Sequence, residues 1–459
     1  MHVDDQFLSV LETALARLDA GFDHLPPRTP RFDRDAIGTI VAAVADRLHD
    51  NEPYHHPLYA GQMLKPPHPV ARLAAALTDF VNPNNHALDG GRATSAMEKD
   101  AVAHLAAMVG WDDALGHLCS GGTVANLEAL WVARETSPGV VLASSGAHYT
   151  HSRLSGVLGV PFEAVATDAA GRMDVDAARE RIARGDVGTL VVTLGATATG
   201  AVDPLDRLLP VARDHGVRVH VDAAYGGYFT LASTLEPGAR AAFDAMGGAD
   251  SIVIDPHKHG LQPYGCGGVL FADPGVGRVY HHDSPYTYFT SDALHLGEIS
   301  LECSRPGAAA AALWATQQLL PNEPGGAFAA DLDRCLEAAR VLHEALDARD
   351  HARTVFTPQL DIVVWALPAA TLSASDAMAR AVYRAALDRD LHLALATFDA
   401  ATVARALPDA AVDVDRVACL RSCLMKPAHL DAVPDLLERL DAAVEAVRTP
   451  GHESRDMTQ

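Results

Sequence analysis

Residues 217–227 read VRVHVDAAYGG and decide the fold of this chain. A run of apolar residues ends at Asp222 and gives way at once to small residues, which is typical of a buried strand that stops at the edge of a sheet. Residues 251–260, SIVIDPHKHG, repeat the plan and carry Lys258 just after the strand. Because an α/β sheet presents its chemistry at the carboxyl ends of its strands, we expect Asp222 and Lys258 to lie at one mouth of one sheet.

This pair of side chains predicts a cofactor site. A carboxylate that can face a pyridine nitrogen and an amine that can form an imine are what pyridoxal phosphate needs from a protein. Each residue also has an ordinary alternative, since Asp222 could cap a helix and Lys258 could be a solvated loop lysine. Two ordinary residues at the ends of successive strands would be a large coincidence. The sequence therefore predicts that the chain binds pyridoxal 5'-phosphate.

The composition argues against several classes of protein. The chain has 459 residues, 49% of them apolar, and a formal net charge of −23. So negative a chain is not expected to bind nucleic acid or an anionic membrane surface. No apolar run is long enough to cross a bilayer and the N-terminus lacks a signal pattern, so we expect a cytoplasmic protein. The six cysteines lack metal-binding spacing, and no metal site is predicted.

The order of helical and strand patterns predicts an α/β fold. Apolar strands alternate with helices from Ser95 onward, which favours a mainly parallel sheet covered on both faces. A Pro- and Gly-rich connector at 321–326 precedes a second, smaller unit. Residues 82–94 are expected to be irregular. The predicted parts are an N-terminal helical segment (1–70), a large cofactor-binding domain (71–320), a small C-terminal α/β domain (321–449) and a tail (450–459).

Three loops could complete a cofactor site. Residues 120–126, SGGTVAN, lie before a helix and offer free backbone N–H groups that suit a phosphate, although a Gly-Gly turn with a capping Thr reads the same way. His148 follows a predicted strand and could lie flat on a conjugated ring, although a surface histidine is the ordinary alternative. Thr197 lies in a loop of small residues, where it could bond the cofactor or the substrate or simply belong to a turn.

These segments resemble the group II pyridoxal-phosphate-dependent amino-acid decarboxylases of fold type I. The resemblance extends from about His56 to Asp431 and is strongest at HVDAAYG (220–226), DPHK (255–258) and SGGT (120–123). It implies a large sheet domain of seven-stranded type, an N-terminal helical segment and a small C-terminal α/β domain. Two positions depart from the aromatic branch of the family, Asp255 and Pro256, which weakens an aromatic substrate assignment.

The resemblance also implies roles for individual residues. Lys258 would carry the Schiff base, Asp222 would keep the pyridine nitrogen protonated, and the ring would lie between Ala224 and His148. The phosphate pocket would be lined by Gly122, Thr123 and His257.

Other implied roles concern the substrate. Tyr286 or Tyr288, in a loop that is mobile in such enzymes, would protonate the substrate carbon, although either could simply pack. Arg421 would contact the substrate carboxylate, with an interdomain salt bridge as the alternative. Asn84 and His86 lie in a segment expected to form a pocket wall.

The resemblance implies decarboxylation of an L-amino acid to the amine and carbon dioxide, through an external aldimine and a quinonoid. It also implies a homodimer in which residues 1–70 wrap the partner. One alternative is a carbon–carbon lyase of the sphingosine-phosphate-lyase type, which the Ser304–Gly307 turn favours. Another is a cofactor-binding scaffold without catalysis. The sequence does not select among acidic, aromatic and aliphatic substrates.

Overall fold

A computed structural model of the chain describes residues 5–26, 32–281 and 294–449. The N-terminal part consists of three helices, α1 (Asp5–Ala20), α2 (Arg34–Leu48) and α3 (Pro69–Asp79). Helix α2 has no buried residue. Within the described ranges, no helix has both the length and the apolar character needed to cross a membrane.

The large domain alternates strands and helices around one sheet. Its helices are α4 (Leu88–Met108), α5 (Gly122–Thr136), α6 (Thr150–Leu158), α7 (Val175–Ile182), α8 (Leu205–Asp214), α9 (Pro237–Asp244) and α10 (Gly307–Leu319). Its strands are β1 (Leu115–Cys119), β2 (Val140–Ser144), β3 (Phe162–Val165), β4 (Val187–Thr193), β5 (Arg218–Asp222), β6 (Ser251–Ile254) and β7 (Gly267–Phe271).

The large sheet has seven strands in the order β1-β7-β6-β5-β4-β2-β3. Only β7 runs antiparallel to its neighbours, and the pairs from β6 through β3 are parallel. Strands β4 and β6 are buried along their whole length, as expected for a sheet covered on both faces. The predicted α/β fold with a mainly parallel sheet is confirmed.

The strand register sets the position of the site. Asp222 pairs with Thr193 on β4 and with Val253 on β6, so these three strands end at nearly the same level. The loops that follow them therefore open on the same side of the sheet, as the rule for open α/β sheets requires.

The small domain is built on an antiparallel sheet. Its helices are α11 (Ala327–Asp347), α12 (Leu372–Leu387), α13 (Ala400–Ala406) and α14 (His429–Arg448). Its strands are β8 (Arg353–Thr354), β9 (Ile362–Ala366), β10 (Ala394–Asp399) and β11 (Arg416–Cys423), in the order β10-β11-β9-β8. The segment before α3 joins this unit, because the Ala60 N–H donates to the His392 carbonyl and the Ala60 carbonyl accepts from the Cys423 N–H.

The predicted irregular stretch at 82–94 is partly wrong. Helix α4 already begins at Leu88 and bends at Gly91, whose backbone is not helical. A Cβ at Gly91 would lie 2.8 Å from the Asn84 carbonyl oxygen, so the glycine allows the helix to pass close to the preceding loop. Gly91 therefore permits a close approach between helix α4 and the preceding loop, whereas the sequence pattern alone predicts a loop.

Candidate active site

A cavity of about 360 Å³ opens where β4, β5 and β6 end. This volume is in the range of small-molecule sites. Loops after β1 and β2 complete its walls. The lining includes all eight residues that the sequence predicts to bind the cofactor, namely Gly122, Thr123, His148, Thr197, Asp222, Ala224, His257 and Lys258.

Lys258 presents the amine of this cavity. It lies in a tight turn after β6, in which its N–H donates to the Asp255 carbonyl over 2.8 Å. Its Nζ lies 3.1 Å from the Asp255 Oδ2, and the Asp255 side chain is only 2% exposed. The chain has four lysines, and Lys258 is the one that lines the cavity. An amine next to a buried carboxylate is held in place and stays accessible from the cavity.

Asp222 is held as an anion by a neighbour that the sequence did not single out. His151, on the first turn of α6, approaches the Asp222 Oδ2 with its Nε2 at 2.8 Å, and both side chains are buried. Burial alone would raise the pKa of Asp222, but the hydrogen bond from His151 and the nearby charges of His151 and Lys258 hold it below its ordinary value. Asp222 can therefore face a protonated ring nitrogen as a carboxylate.

The loop between β1 and α5 has the shape of a phosphate cradle. The first backbone bond of α5 runs from the Ala125 N–H to the Gly121 carbonyl, so the preceding N–H groups at the helix start lie outside the helical ladder. A Cβ on Gly122 would lie 2.7 Å from the Asp255 Oδ2, and Gly121 has a φ of +151°. Only glycines leave this backbone open to an anion at a helix N-terminus.

His257 closes the same end of the cavity. The ring contacts the Cys266 carbonyl through Nδ1 at 2.8 Å, which fixes its orientation. Burial lowers the pKa of His257, although the nearby Asp255 charge opposes this shift. The imidazole is therefore neutral at neutral pH and can serve as a hydrogen-bonding wall.

The walls beside the amine suit a flat ring. His148 lies on one side, and burial lowers its pKa, so that its imidazole is neutral at neutral pH. Ala224 is buried and small, and Thr197 follows β4 on a loop of small residues. An amine, a carboxylate, an open helix start and two small walls together fit a pyridine ring with a phosphate and an aldehyde.

Arg421 lies in a second cavity of about 570 Å³, which adjoins the first and shares His148 and Thr197 with it. Its side chain is buried, its Nη2 donates to the Thr197 carbonyl over 2.8 Å, and its Nε forms no hydrogen bond within the described part of the chain. No carboxylate of the described chain forms a salt bridge with Arg421. The guanidinium therefore joins the two domains through a carbonyl and keeps a free N–H donor.

Some predicted residues lie elsewhere. Tyr286 and Tyr288 fall outside the described residues. Asn84 and His86 line neither cavity. Asn84 donates through Nδ2 to the Ser304 Oγ over 3.1 Å, and His86 packs beside Gly297. Their contact with substrate stays a prediction, because neither residue lines these two cavities.

The sequence gives only a weak signal for His151, which follows His148 by three residues. The partner, Asp222, is 71 residues away, and that separation leaves no local signal.

Three comparisons with known proteins agree with this geometry. Residues 33–367 match the pyridoxal-dependent decarboxylase conserved domain. A probable L-tyrosine/L-aspartate decarboxylase of Methanothermobacter thermautotrophicus is 31% identical over 315 residues, which cover 67% of this chain and 83% of the relative. A probable L-aspartate decarboxylase of Halobacterium salinarum is 33% identical over 315 residues, which cover 68% and 83%.

Solved structures share the fold. The apo form of mouse CSAD superimposes with a TM-score of 0.77 at 21% identity, covering 96% of this chain and 92% of that one. Oryza sativa TDC with PLP and tryptamine superimposes with a TM-score of 0.75 at 17% identity, covering 96% and 95%. Identities this low indicate a common architecture and nothing about substrate.

Proposed function

Because the chain belongs to the pyridoxal-dependent decarboxylase family, we propose that its substrate is L-aspartate or L-tyrosine. The chain is a pyridoxal-phosphate-dependent carboxy-lyase that acts on an amino acid. L-aspartate and L-tyrosine are the substrates named for its relatives. The observation that carries the proposal is the meeting of Lys258, Asp222 and the free donor of Arg421 around two adjoining cavities.

A carbon–carbon lyase is not favoured. The matching family and the relatives named above are decarboxylases. The Ser304–Gly307 turn, which suggested the lyase branch, has a structural use in this chain. Arg305 of that turn pairs with Glu98 over 2.7 Å and also donates to the Leu118 carbonyl at the end of β1.

In the proposed mechanism, Lys258 would hold the cofactor between turnovers through its amine, which lies in the cavity where the substrate amine would enter. When bound, pyridoxal phosphate supplies an aldehyde carbon that joins to an amine and a ring that withdraws electrons from the substrate Cα. Asp222, kept anionic by His151, holds a proton on the ring nitrogen. Asp255 lies beside the Lys258 Nζ and pairs with its ammonium whenever the lysine is free.

The proposed role of Arg421 is to orient the substrate. Arg421 lines the second cavity, where a carboxylate can accept from its guanidinium. By binding the α-carboxylate, Arg421 would fix the orientation of the bond that must break, and burial would exclude water from it. His148 supports the ring from one side. The proton that replaces carbon dioxide on Cα is assigned to Tyr286 or Tyr288, as the sequence predicts.

The phosphate end is assigned to Gly122, Thr123 and His257. The helix start at Gly122 supplies N–H groups and Thr123 supplies a hydroxyl. Thr197 and Ala224 are assigned to the edge and the underside of the ring, where their small size allows close approach.

Two features of the second cavity fit the side chains of the two proposed substrates. The ring centroids of Phe356 and Phe398 are 5.3 Å apart on its wall, which suits an aromatic side chain. Arg405 and Arg416 also line it, which suits a carboxylate. A panel of L-aspartate, L-tyrosine, their D-enantiomers and L-alanine, followed by amine and carbon dioxide release, tests the proposal. Release from neither L-aspartate nor L-tyrosine would refute it.

We also propose that the chain forms a homodimer in which residues 1–70 wrap the partner. Helix α2 carries an exposed apolar face that no described residue covers, formed by Ile37, Ile40, Val41, Val44 and Leu48. Their spacing places them on one side of the helix, as in an interface with a second copy. Asn84 and His86 are assigned to the partner's pocket wall.

The dimer is tested by the mass of the purified chain in solution. Ile40→Asp with Val44→Asp should yield monomers, whereas Thr39→Asp on the opposite face of α2 should remain dimeric. Wild-type monomers at micromolar concentration would refute the proposal.

The division into a 1–70 segment, a 71–320 domain and a 321–449 domain, with a cytoplasmic location, belongs to the same proposal. The tail at 450–459 lies outside the described residues. Limited proteolysis and cell fractionation test these two points. Release of the intact chain with a membrane fraction would contradict the location.

A further inference from the structure

Three buried side chains meet where the small domain touches both catalytic loops. The Tyr225 hydroxyl donates to the Asp361 Oδ1 over 2.6 Å, and the His259 Nε2 lies 3.2 Å from the Asp361 Oδ2. The Tyr225 and His259 rings also contact each other edge to face at 4.9 Å. These three residues are called the seam triad below. None of the proposed steps uses them.

The members of the seam triad come from three different segments. Tyr225 lies three residues after Asp222, and His259 is the residue after Lys258. Asp361 directly precedes β9 of the small domain. The Asp361 carboxylate of the small domain therefore contacts Tyr225, close to Asp222, and His259, next to Lys258.

Asp361 is suited to a permanent contact. Its side chain is fully buried, and burial would raise its pKa, but His259, Tyr225 and Lys65 hold the pKa below its ordinary value. The residue is therefore a carboxylate at neutral pH. Separating a buried carboxylate from its partners is costly, so the seam triad fixes the small domain against the catalytic loops.

The strand register carries this constraint to Arg421. The Asp361 carbonyl accepts from the Leu424 N–H over 2.7 Å, and β9 pairs with β11 so that Val364 lies opposite Arg421. Asp361 and Arg421 are thus joined by one short stretch of paired backbone. Shifting Asp361 moves the strand that carries the guanidinium.

We propose that Asp361 is a positioning residue, which through Tyr225 and His259 sets the Arg421 guanidinium at a fixed place relative to Lys258. This inference rests on the proposed function, since it assumes that Arg421 binds the substrate carboxylate. Asp361 lines neither cavity. Its effect is on substrate binding, and the cofactor remains held by Lys258 and Asp222.

Two neighbouring tyrosines provide a matched experiment. Tyr225→Phe removes the hydroxyl that donates to Asp361 and keeps the ring. Tyr228→Phe is the control, because Tyr228 is also fully buried on the same loop and its hydroxyl forms no hydrogen bond with any described residue. Both variants lose one buried oxygen, but only Tyr225→Phe loses a bond between the domains.

Steady-state kinetics of the cofactor-loaded enzyme separate the two roles. Tyr225→Phe should raise KM for the amino acid about tenfold, with kcat within about twofold of wild type and an unchanged visible absorption band. Tyr228→Phe should keep the wild-type KM. Equal KM values for the two variants, or a loss of kcat with no change in KM, would overturn the inference.

A double variant tests the path through Arg421. If Tyr225 acts through Arg421, then Tyr225→Phe with Arg421→Met should have the KM of Arg421→Met alone, whereas independent roles would multiply the two effects. Multiplied effects would overturn the inference. If the wild type is active and any of these contrary results is found, only the proposed role of the seam triad is refuted. A wild type that releases no carbon dioxide from any amino acid refutes the proposed function itself.

Discussion

Replacing His151 by leucine should free Asp222 from its strongest partner. The His151 Nε2 lies 2.8 Å from the Asp222 Oδ2, and its buried Nδ1 has no hydrogen-bond partner among the residues that the structure describes, so leucine removes one hydrogen bond. Asp222 would keep only the N–H of Ala224, at 3.2 Å. Burial is then opposed by the nearby Lys258 charge and the Ala224 N–H but no longer by His151, so the pKa of Asp222 should rise.

The size of the effect follows from the bond that is lost. A hydrogen bond to a charged group contributes about 1.5 to 3 kcal/mol, and about 1.4 kcal/mol corresponds to one pKa unit. We therefore expect the pKa of Asp222 to rise by about one to two units, and the free energy of unfolding at pH 7 to fall by about 2 kcal/mol. A less anionic Asp222 should also lower kcat about tenfold or more.

The pH dependence has a defined sign. In the wild type, the folded pKa of Asp222 lies below its ordinary value, so its stabilising effect is present above about pH 4 and is lost as the pH falls through the folded pKa. His151→Leu raises the folded pKa, so the variant loses this stabilisation at a higher pH than the wild type does. The difference in unfolding free energy between wild type and variant should therefore be constant from about pH 7 down to the folded pKa of the variant, and should shrink as the pH falls below it.

Urea unfolding of the cofactor-free protein at several pH values measures this difference. His151→Gln serves as the control, since its amide N–H can still donate to the carboxylate, and it should recover part of the lost stability. The reasoning is refuted if His151→Leu and His151→Gln have the same urea midpoint as wild type across this range.

Three more predictions concern the phosphate cradle, the substrate arginine and a buried lysine. Gly122→Ala should weaken cofactor binding at least about tenfold in a fluorescence titration, because its Cβ would lie 2.7 Å from the Asp255 Oδ2; an unchanged Kd would argue against the cradle. Arg421→Met should raise KM about tenfold or more at an unchanged cofactor Kd, and a wild-type KM would remove Arg421 from the substrate site. Burial lowers the pKa of Lys426 to about 7, so the unfolded chain binds more protons than the folded chain between about pH 7 and 10, and wild-type stability should rise across that window. Lys426→Met should flatten the rise, and equal slopes in urea melts at pH 7 and 9.5 would speak against the buried amine.

The central sheet and its cofactor residues could be predicted because they follow from local patterns. Buried parallel strands are continuous apolar runs, and the residues at their ends meet by the rules of the fold. This rule predicts the positions of Asp222 and Lys258 without any information on the residues that pack around them.

Other elements lack such a pattern. Strand β3 (Phe162–Val165) lies at the sheet edge and is mostly not buried, so it shows no apolar run. Strand β1 contains the buried His117, whose Nε2 lies 2.9 Å from the Glu128 Oε2. Glu128 is on α5, and the sequence around His117 gives no sign of this pairing.

The supporting residues of the site are the least predictable. His151 meets Asp222 across 71 residues, and Tyr225 meets Asp361 across 136 residues. Such contacts depend on how distant parts of the chain pack together. In the sequence, each of these residues looks like an ordinary polar residue, so its role can be proposed only once the fold is known.

The identity of the lysine that carries the cofactor tests the central claim most directly. Borohydride reduction of the cofactor-loaded enzyme fixes the imine as a stable amine, and peptide mass analysis then locates it among Lys65, Lys99, Lys258 and Lys426. The phosphopyridoxyl group should be found on Lys258 and on no other lysine. A group on one of the other three, or none at all on a protein saturated with cofactor, would contradict the assignment of this site.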